Sequence, residues 1–116
     1  KAIGYLGSSA TAEAQSGLVE TLEDEDRIVR YEAASAIGKL GSSFIAEAQL
    51  GLVKALRDED KDVRQEAASA VGYLGSSATA EAQSGLVKAL RDEDKDVRQE
   101  AASAVGYLGS SATAEA

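Results

Sequence analysis

The chain has 116 residues, with 12 Lys and Arg against 20 Asp and Glu, a net charge of −8, 44% hydrophobic residues, and no Cys, His, Met, Trp, Pro or Asn. That length can bury the core of one domain, and the missing residue types exclude His/Cys metal sites, a Cys nucleophile, a Ser-His-Asp triad and a disulfide framework. No apolar run is long enough to span a bilayer, no signal peptide stands out, and the acidity disfavours nucleic acid and anionic lipid, so a cytoplasmic protein without nucleic-acid or membrane partners is expected.

Along the chain, one 34-residue unit is written about three and a half times. Residues 1–17 match 69–85 at all but the first and third positions, 18–51 match 52–85 at 23 of 34 positions, and 52–82 recur unchanged as 86–116. Self-similarity at this period marks a repeat array. The expected organisation is a single repeat domain with a partial repeat at 1–17 and repeats at 18–51, 52–85 and 86–116. The absent residue types are thus largely one choice copied, and count for less than 116 independent positions.

Each unit reads as two helices. Residues 1–7 supply only the back half of a second helix. Thr79 reads as a helix N-cap with Glu81 in the first turn, and Ala82, Leu86, Val87, Ala89 and Leu90 make an apolar stripe. Gly85 inside this helix costs about 1 kcal/mol relative to Ala, so its recurrence predicts a kink or a close helix contact. Arg91, Asp92 and Glu93 form a turn, and Asp94 caps a second helix that turns Val97, Ala101, Ala104, Val105 and Leu108 to one side. Gly109 is expected to stop that helix, with Ser110 and Ser111 in a loop and 112–116 beginning another first helix. The half-helices at both ends predict a window cut from a longer array, or end faces that stack head to tail.

The spacing L-x-D-x-D-x-x-V-R-x-x-A-A-x-A-[VI]-G-x-L-G stands at Leu22 to Gly41 and recurs from Leu56 to Gly75 and from Leu90 to Gly109. It strongly resembles HEAT repeats of the short type named after phycobilisome lyases and used in consensus-designed scaffolds, and the resemblance covers the whole chain. The unit is a few residues longer than that type, and the proline common in the first helix is absent. The expected fold is an all-α solenoid of stacked antiparallel helix pairs in a right-handed superhelix. The resemblance implies that second helices line a concave face, and that Asp24, Asp58 and Asp92 with Arg30, Arg64 and Arg98 form a ladder between units. A turn Asp and a first-turn Arg at fixed phase can indeed meet across stacked helices, where a guanidinium binds a carboxylate with two hydrogen bonds.

Other acidic and glycine-rich runs read as structure. Asp58-Glu59-Asp60-Lys61-Asp62 begins like a calcium loop, but Val63 stands where that loop needs Gly and Ser69 where it needs Glu. Residues 72–77 hold two glycines but no phosphate-binding Lys. Pairs such as Asp94 and Asp96 repeat along an exposed edge, with no closed pocket to separate their pKa values. No enzyme, metal or cofactor is expected.

A surface remains. With the apolar side turned in, the last second helix exposes Lys95, Asp96, Gln99, Glu100, Ser103 and Tyr107. Across units this gives three rows: Tyr5, Lys39, Tyr73 and Tyr107; Tyr31, Gln65 and Gln99; and Ile28, Asp62 and Asp96. The 18–51 copy departs most, at Arg27, Ile28, Tyr31 and Lys39 on this face and at Phe44 and Ile45, which could equally fill core. It also carries a net −4, from 3 basic and 7 acidic residues, against −2 in each later copy. The expected function is a non-catalytic protein-interaction scaffold. It would use Tyr5, Arg27, Ile28, Tyr31, Lys39, Gln65, Tyr73, Gln99 and Tyr107 against a partner with a basic, partly apolar surface. The alternatives are a self-stacking array and, suggested by the family name alone, an accessory of bilin attachment. A DNA-binding role is disfavoured because these rows mix Lys with Asp and Glu.

Overall fold

A computed structural model describes residues 12–40 and 48–115. Among them are six α-helices, one 3-10 turn and no strand. The elements are α1 (Ala12–Thr21), α2 (Arg27–Leu40), α3 (Gln49–Ala55), α4 (Lys61–Leu74), the turn Gly75–Ser77, α5 (Ala80–Ala89) and α6 (Lys95–Glu115). Successive helices pair as α1/α2, α3/α4 and α5/α6, and the pairs stack. The second helices α2, α4 and α6 pack along one another far more extensively than do the first helices. No helix among the described residues is long and apolar enough to cross a membrane. Tyr5, Phe44 and Ile45 lie outside the described residues.

The D-x-D spacing of each turn sets where a second helix begins. Asp58 accepts a hydrogen bond from the Asp60 amide at 2.9 Å, and Asp60 accepts from the amides of Asp62 and Val63 at 2.8 and 3.2 Å. Asp92 and Asp94 repeat this pattern one unit later. The first carboxylate ties down the loop, and the second caps the helix by satisfying amides that have no partner within it. Thr79 caps α5 in the same way through the Ala82 amide, at 3.1 Å.

The core is alanine with a few branched side chains. Ile37, Leu52, Val63, Val71, Leu74, Leu86 and Val97 are fully buried, among Ala33, Ala34, Ala67, Ala68, Ala82 and Ala101. Small side chains let the helices approach closely. A Cβ added at Gly72 would lie 2.9 Å from the Ala104 Cβ and 3.1 Å from its Cα, so α4 and α6 touch nearly backbone to backbone there. Gly51 and Gly85 serve the first-helix row. A Cβ there would meet Val19 at 2.7 Å and Leu56 at 2.9 Å respectively, which makes the recurrent glycine a close helix contact.

Two local expectations fail, both in the last unit. Val87 was placed in the apolar stripe but is 55% exposed. Its counterpart Val19 lies on the glycine of the following helix, and no such helix lies against Val87 among the described residues. Gly109 does not stop α6, which runs through Ser110, Ser111 and the expected new helix start to Glu115. The identical segment at Gly75 does turn, with φ of 57°. Glycine itself has little preference between these conformations. The turn at Gly75 is held from outside: the buried Gln49 amide donates to the Ser77 carbonyl at 2.8 Å and accepts from the Thr79 amide at 2.9 Å. The equivalent Gln83 is exposed and donates instead to the Ala78 carbonyl, so it does not grip residues 109–113.

These contacts separate packing from helix propensity. Gly106→Ala, with nothing within 4 Å of the added carbon, should raise stability by about 1 kcal/mol, the propensity gain alone. Gly72→Ala should instead lower it by about 1–3 kcal/mol through overpacking against Ala104. Urea midpoints of the two variants measure the difference in sign.

Candidate functional site

The first-turn arginines of α2 and α4 point back over their own turns and across to the next unit. Arg30 donates through Nε and Nη2 to the Asp58 carboxylate at 2.8 and 3.0 Å, and through Nη1 to the carbonyls of Asp24 and Glu25 at 2.8 and 3.2 Å. Arg64 repeats every bond with Asp92 and with the carbonyls of Asp58 and Glu59. Both arginines are only 8% exposed. The hydrogen bond to the facing aspartate raises the pKa of each guanidinium, against the opposing effect of burial. Burial pushes the Asp92 carboxyl up, but the Arg64 hydrogen bond and the Asp94 amide outweigh it and leave its pKa lowered.

The structure thus brings together Arg30 with Asp58 and Arg64 with Asp92. Asp24 and Arg98 are not brought together. Asp24 accepts from the Asp26 amide at 2.8 Å, and Arg98 bonds the carbonyls of Asp92 and Glu93 but stays exposed.

A groove of about 450 Å³ runs between α2 and α4 on the second-helix face, lined by Arg27, Ile28, Tyr31 and Glu32 on one side and Asp60, Asp62, Gln65 and Glu66 on the other. It continues into a hollow of about 560 Å³ containing Lys39 and Tyr73, and Glu66 borders both. Arg27 pairs with Asp60 at 3.4 Å, and Tyr31 faces Glu66 across the groove. Burial is the largest influence on Glu66, and with the nearby carboxylates of Glu100 and Glu32 it raises the carboxyl pKa, although Tyr31 and Lys39 act the other way. The Glu66 carboxylate and burial likewise raise the pKa of Tyr31. Ile28, at 58% exposure, and Tyr73, at 54%, are large apolar side chains left in water.

Of the residues expected on this face, Arg27, Ile28, Tyr31 and Gln65 meet in the groove, and Lys39 and Tyr73 adjoin it. Tyr107 lies one helix further, edge-on to Tyr73 with ring centroids 6.1 Å apart, and Gln99 stands exposed on α6. Two contributors escape a reading of the sequence. Glu66 stands at a position where every unit has Glu, and only Tyr31 opposite distinguishes it. Gln49 recurs as Gln15 and Gln83 at the 34-residue period, a signal that was available but is silent about burial.

The arginine links carry three expected outcomes. Arg64→Lys, which loses the two-pronged geometry, should lower the urea midpoint more than Lys61→Arg, and Arg64→Ala should cost about 3 kcal/mol by stranding the partly buried Asp92 carboxylate. Because the Asp92 pKa is lowered on folding, its contribution is fully present above the unfolded value of about 3.9 and is lost as pH falls through the folded value. Asp92→Asn should therefore flatten the loss of stability below about pH 4, measured by urea unfolding across pH.

The comparisons with known proteins agree with this architecture. The family model of HEAT repeats matches residues 49–116, and that of the PBS lyase HEAT-like repeat matches residues 29–58. Among solved structures, the crystal structure of an engineered protein from a structural genomics consortium superposes with a TM-score of 0.62 at 29% identity. That match covers 90% of this chain but 53% of the engineered one, so the chain spans about half the length of that protein. No curated protein sequence gives a match. With helix pairs stacked through recurrent arginine–aspartate links and a family model matching more than half its length, the chain belongs to the HEAT repeat family.

Proposed function

We propose that the chain is a non-catalytic scaffold, a single repeat domain built of the partial unit 1–17 and the units 18–51, 52–85 and 86–116, that binds a protein partner on the face formed by α2, α4 and α6. HEAT repeats are commonly protein-interaction scaffolds. The observation that carries the reading here is the groove under Ile28 and Tyr31. It lies where the 18–51 copy departs from its otherwise similar neighbour, and it leaves an aliphatic and an aromatic side chain exposed on a charged rim. Exposed apolar groups rimmed by polar ones mark interaction sites, and tyrosine is a frequent interface anchor. The four carboxylates against one arginine in the lining favour a basic, partly apolar partner.

The test is affinity capture on the immobilised chain, with Ile28→Asp/Tyr31→Ala alongside. A partner retained by the parent chain and lost from the variant supports the reading. A partner retained equally by both places the interaction elsewhere.

End-to-end stacking is the second reading. Val87 is 55% exposed and Arg98 is exposed, whereas Arg30 and Arg64 are buried, and nothing lies within 4 Å of a Cβ added at Gly17. A second copy could set its Gly17 under Val87 and its Asp24 on Arg98. It ranks second because residues 1–14 repeat 103–116 at 12 of 14 positions, so stacking in register demands that one copy yield that stretch. Sedimentation across a concentration series should show larger species that Val87→Lys abolishes; a monomer throughout removes the reading.

A further inference from the structure

The groove between α2 and α4 has a composition that selects a side chain as well as a surface. One wall is apolar and aromatic, from Ile28 and Tyr31; the other is acidic, from Asp62 and Glu66. The groove already shows how it treats a guanidinium: Arg27 crosses from α2 to Asp60, the N-cap of α4, at 3.4 Å. With Arg27 occupied, Glu32, Asp62 and Glu66 keep no strong cationic partner among the described residues. Asp62 meets Lys61 at 3.7 Å, but both side chains are about half exposed and such a pair is worth little. Lys39 attracts Glu66 from the adjoining hollow, while Glu32 on α2 and Glu100 on α6 repel it.

We propose that this groove is a slot for an arginine side chain of the protein partner, which lies along Ile28 and Tyr31 and sets its guanidinium on the carboxylates of Asp62 and Glu66. The inference rests on the second-helix face being the docking surface. Arginine fits better than lysine for two reasons. Its planar, weakly hydrated head stacks on an aromatic ring, and its fork of donors serves two carboxylates together, whereas an ammonium prefers its water.

The repeat supplies its own control. The next interface, between α4 and α6, carries the same acidic wall in Asp96 and Glu100, but Asp62 and Gln65 stand where Ile28 and Tyr31 stand in the first. Acids alone are therefore present at both interfaces, and the apolar wall at one. Ile28→Asp/Tyr31→Gln installs residues that the neighbouring unit already folds with, so loss of binding in that variant reports the slot and not the fold.

The experiment is a titration of the 15N-labelled chain with the blocked tripeptide acetyl-leucyl-arginyl-leucine amide, and with its citrulline and lysine counterparts. The arginine peptide should give saturable amide shifts confined to residues 27–32 and 60–66. Citrulline, which keeps the shape and loses the charge, should bind at least about tenfold more weakly, and lysine should fall between them. Ile28→Asp/Tyr31→Gln should abolish the shifts, and Glu66→Gln should weaken binding about tenfold. Adding Asp62→Ile/Gln65→Tyr to the first variant should move the shifts to residues 61–66 and 94–100. Equal shifts from the citrulline peptide, or no saturable shift at millimolar peptide, overturn the slot. Shifts centred on Tyr73 and Tyr107 also overturn it while sparing the docking face, whose own failure is read separately, in capture by the Ile28→Asp/Tyr31→Ala variant.

Discussion

A guanidinium that bonds its own turn and the next unit's carboxylate fixes how two helix pairs sit together. Arg30 and Arg64 each span 28 residues to do so, with the same atoms and nearly the same distances. The energetic logic is asymmetric. Burying the two charges costs solvation that their attraction roughly repays, whereas burying one without the other is strongly unfavourable. Such a link adds little net stability in the correct arrangement and penalises every other one. The close passage of Gly72 over Ala104, and the seating of Val19 on Gly51, belong to that same arrangement.

The groove depends on the same constraint. Its two walls come from α2 and α4, and only a fixed offset between them puts Tyr31 opposite Glu66. Nothing in the packing requires Ile28 or Tyr31, since the units without them fold with Asp and Gln in those places. Glu66 is held where burial and two neighbouring carboxylates disfavour its charge. Side chains that the fold does not need, and a charge that the fold does not favour, are the features on which the proposed docking site rests.

Much of this was legible in the sequence, and the division is physical. The helix pairs, the caps at Asp94 and Thr79, and the alanine-rich core follow from spacing within one unit, because caps and amphipathic faces are local. The residues that meet in the groove could be placed on one face, but the groove itself could not be seen, because it lies between units. Val87 and Gly109 were misplaced for the same reason. Residues 86–116 copy 52–82 letter for letter, so any rule that reads letters gives both copies one structure. Their neighbours differ, and the neighbours decide whether a valine is covered and whether a glycine turns. Glu66 was passed over because its own position is invariant across the units; what changes is the side chain facing it.

Gln49 gives the array a direction. Its buried amide sits at the start of one helix pair and grips the chain where the next pair begins, at Ser77 and Thr79. The same residue at Gln83 is exposed and turns to the Ala78 carbonyl, so the grip belongs to a covered glutamine and not to the letter alone. A duplicated unit inserted into such an array would bring a copy of this glutamine with it, and its burial by neighbours would decide whether it grips. Tandem copying thus lengthens the sequence of such a chain, while the neighbours of each copy decide where its next helix begins.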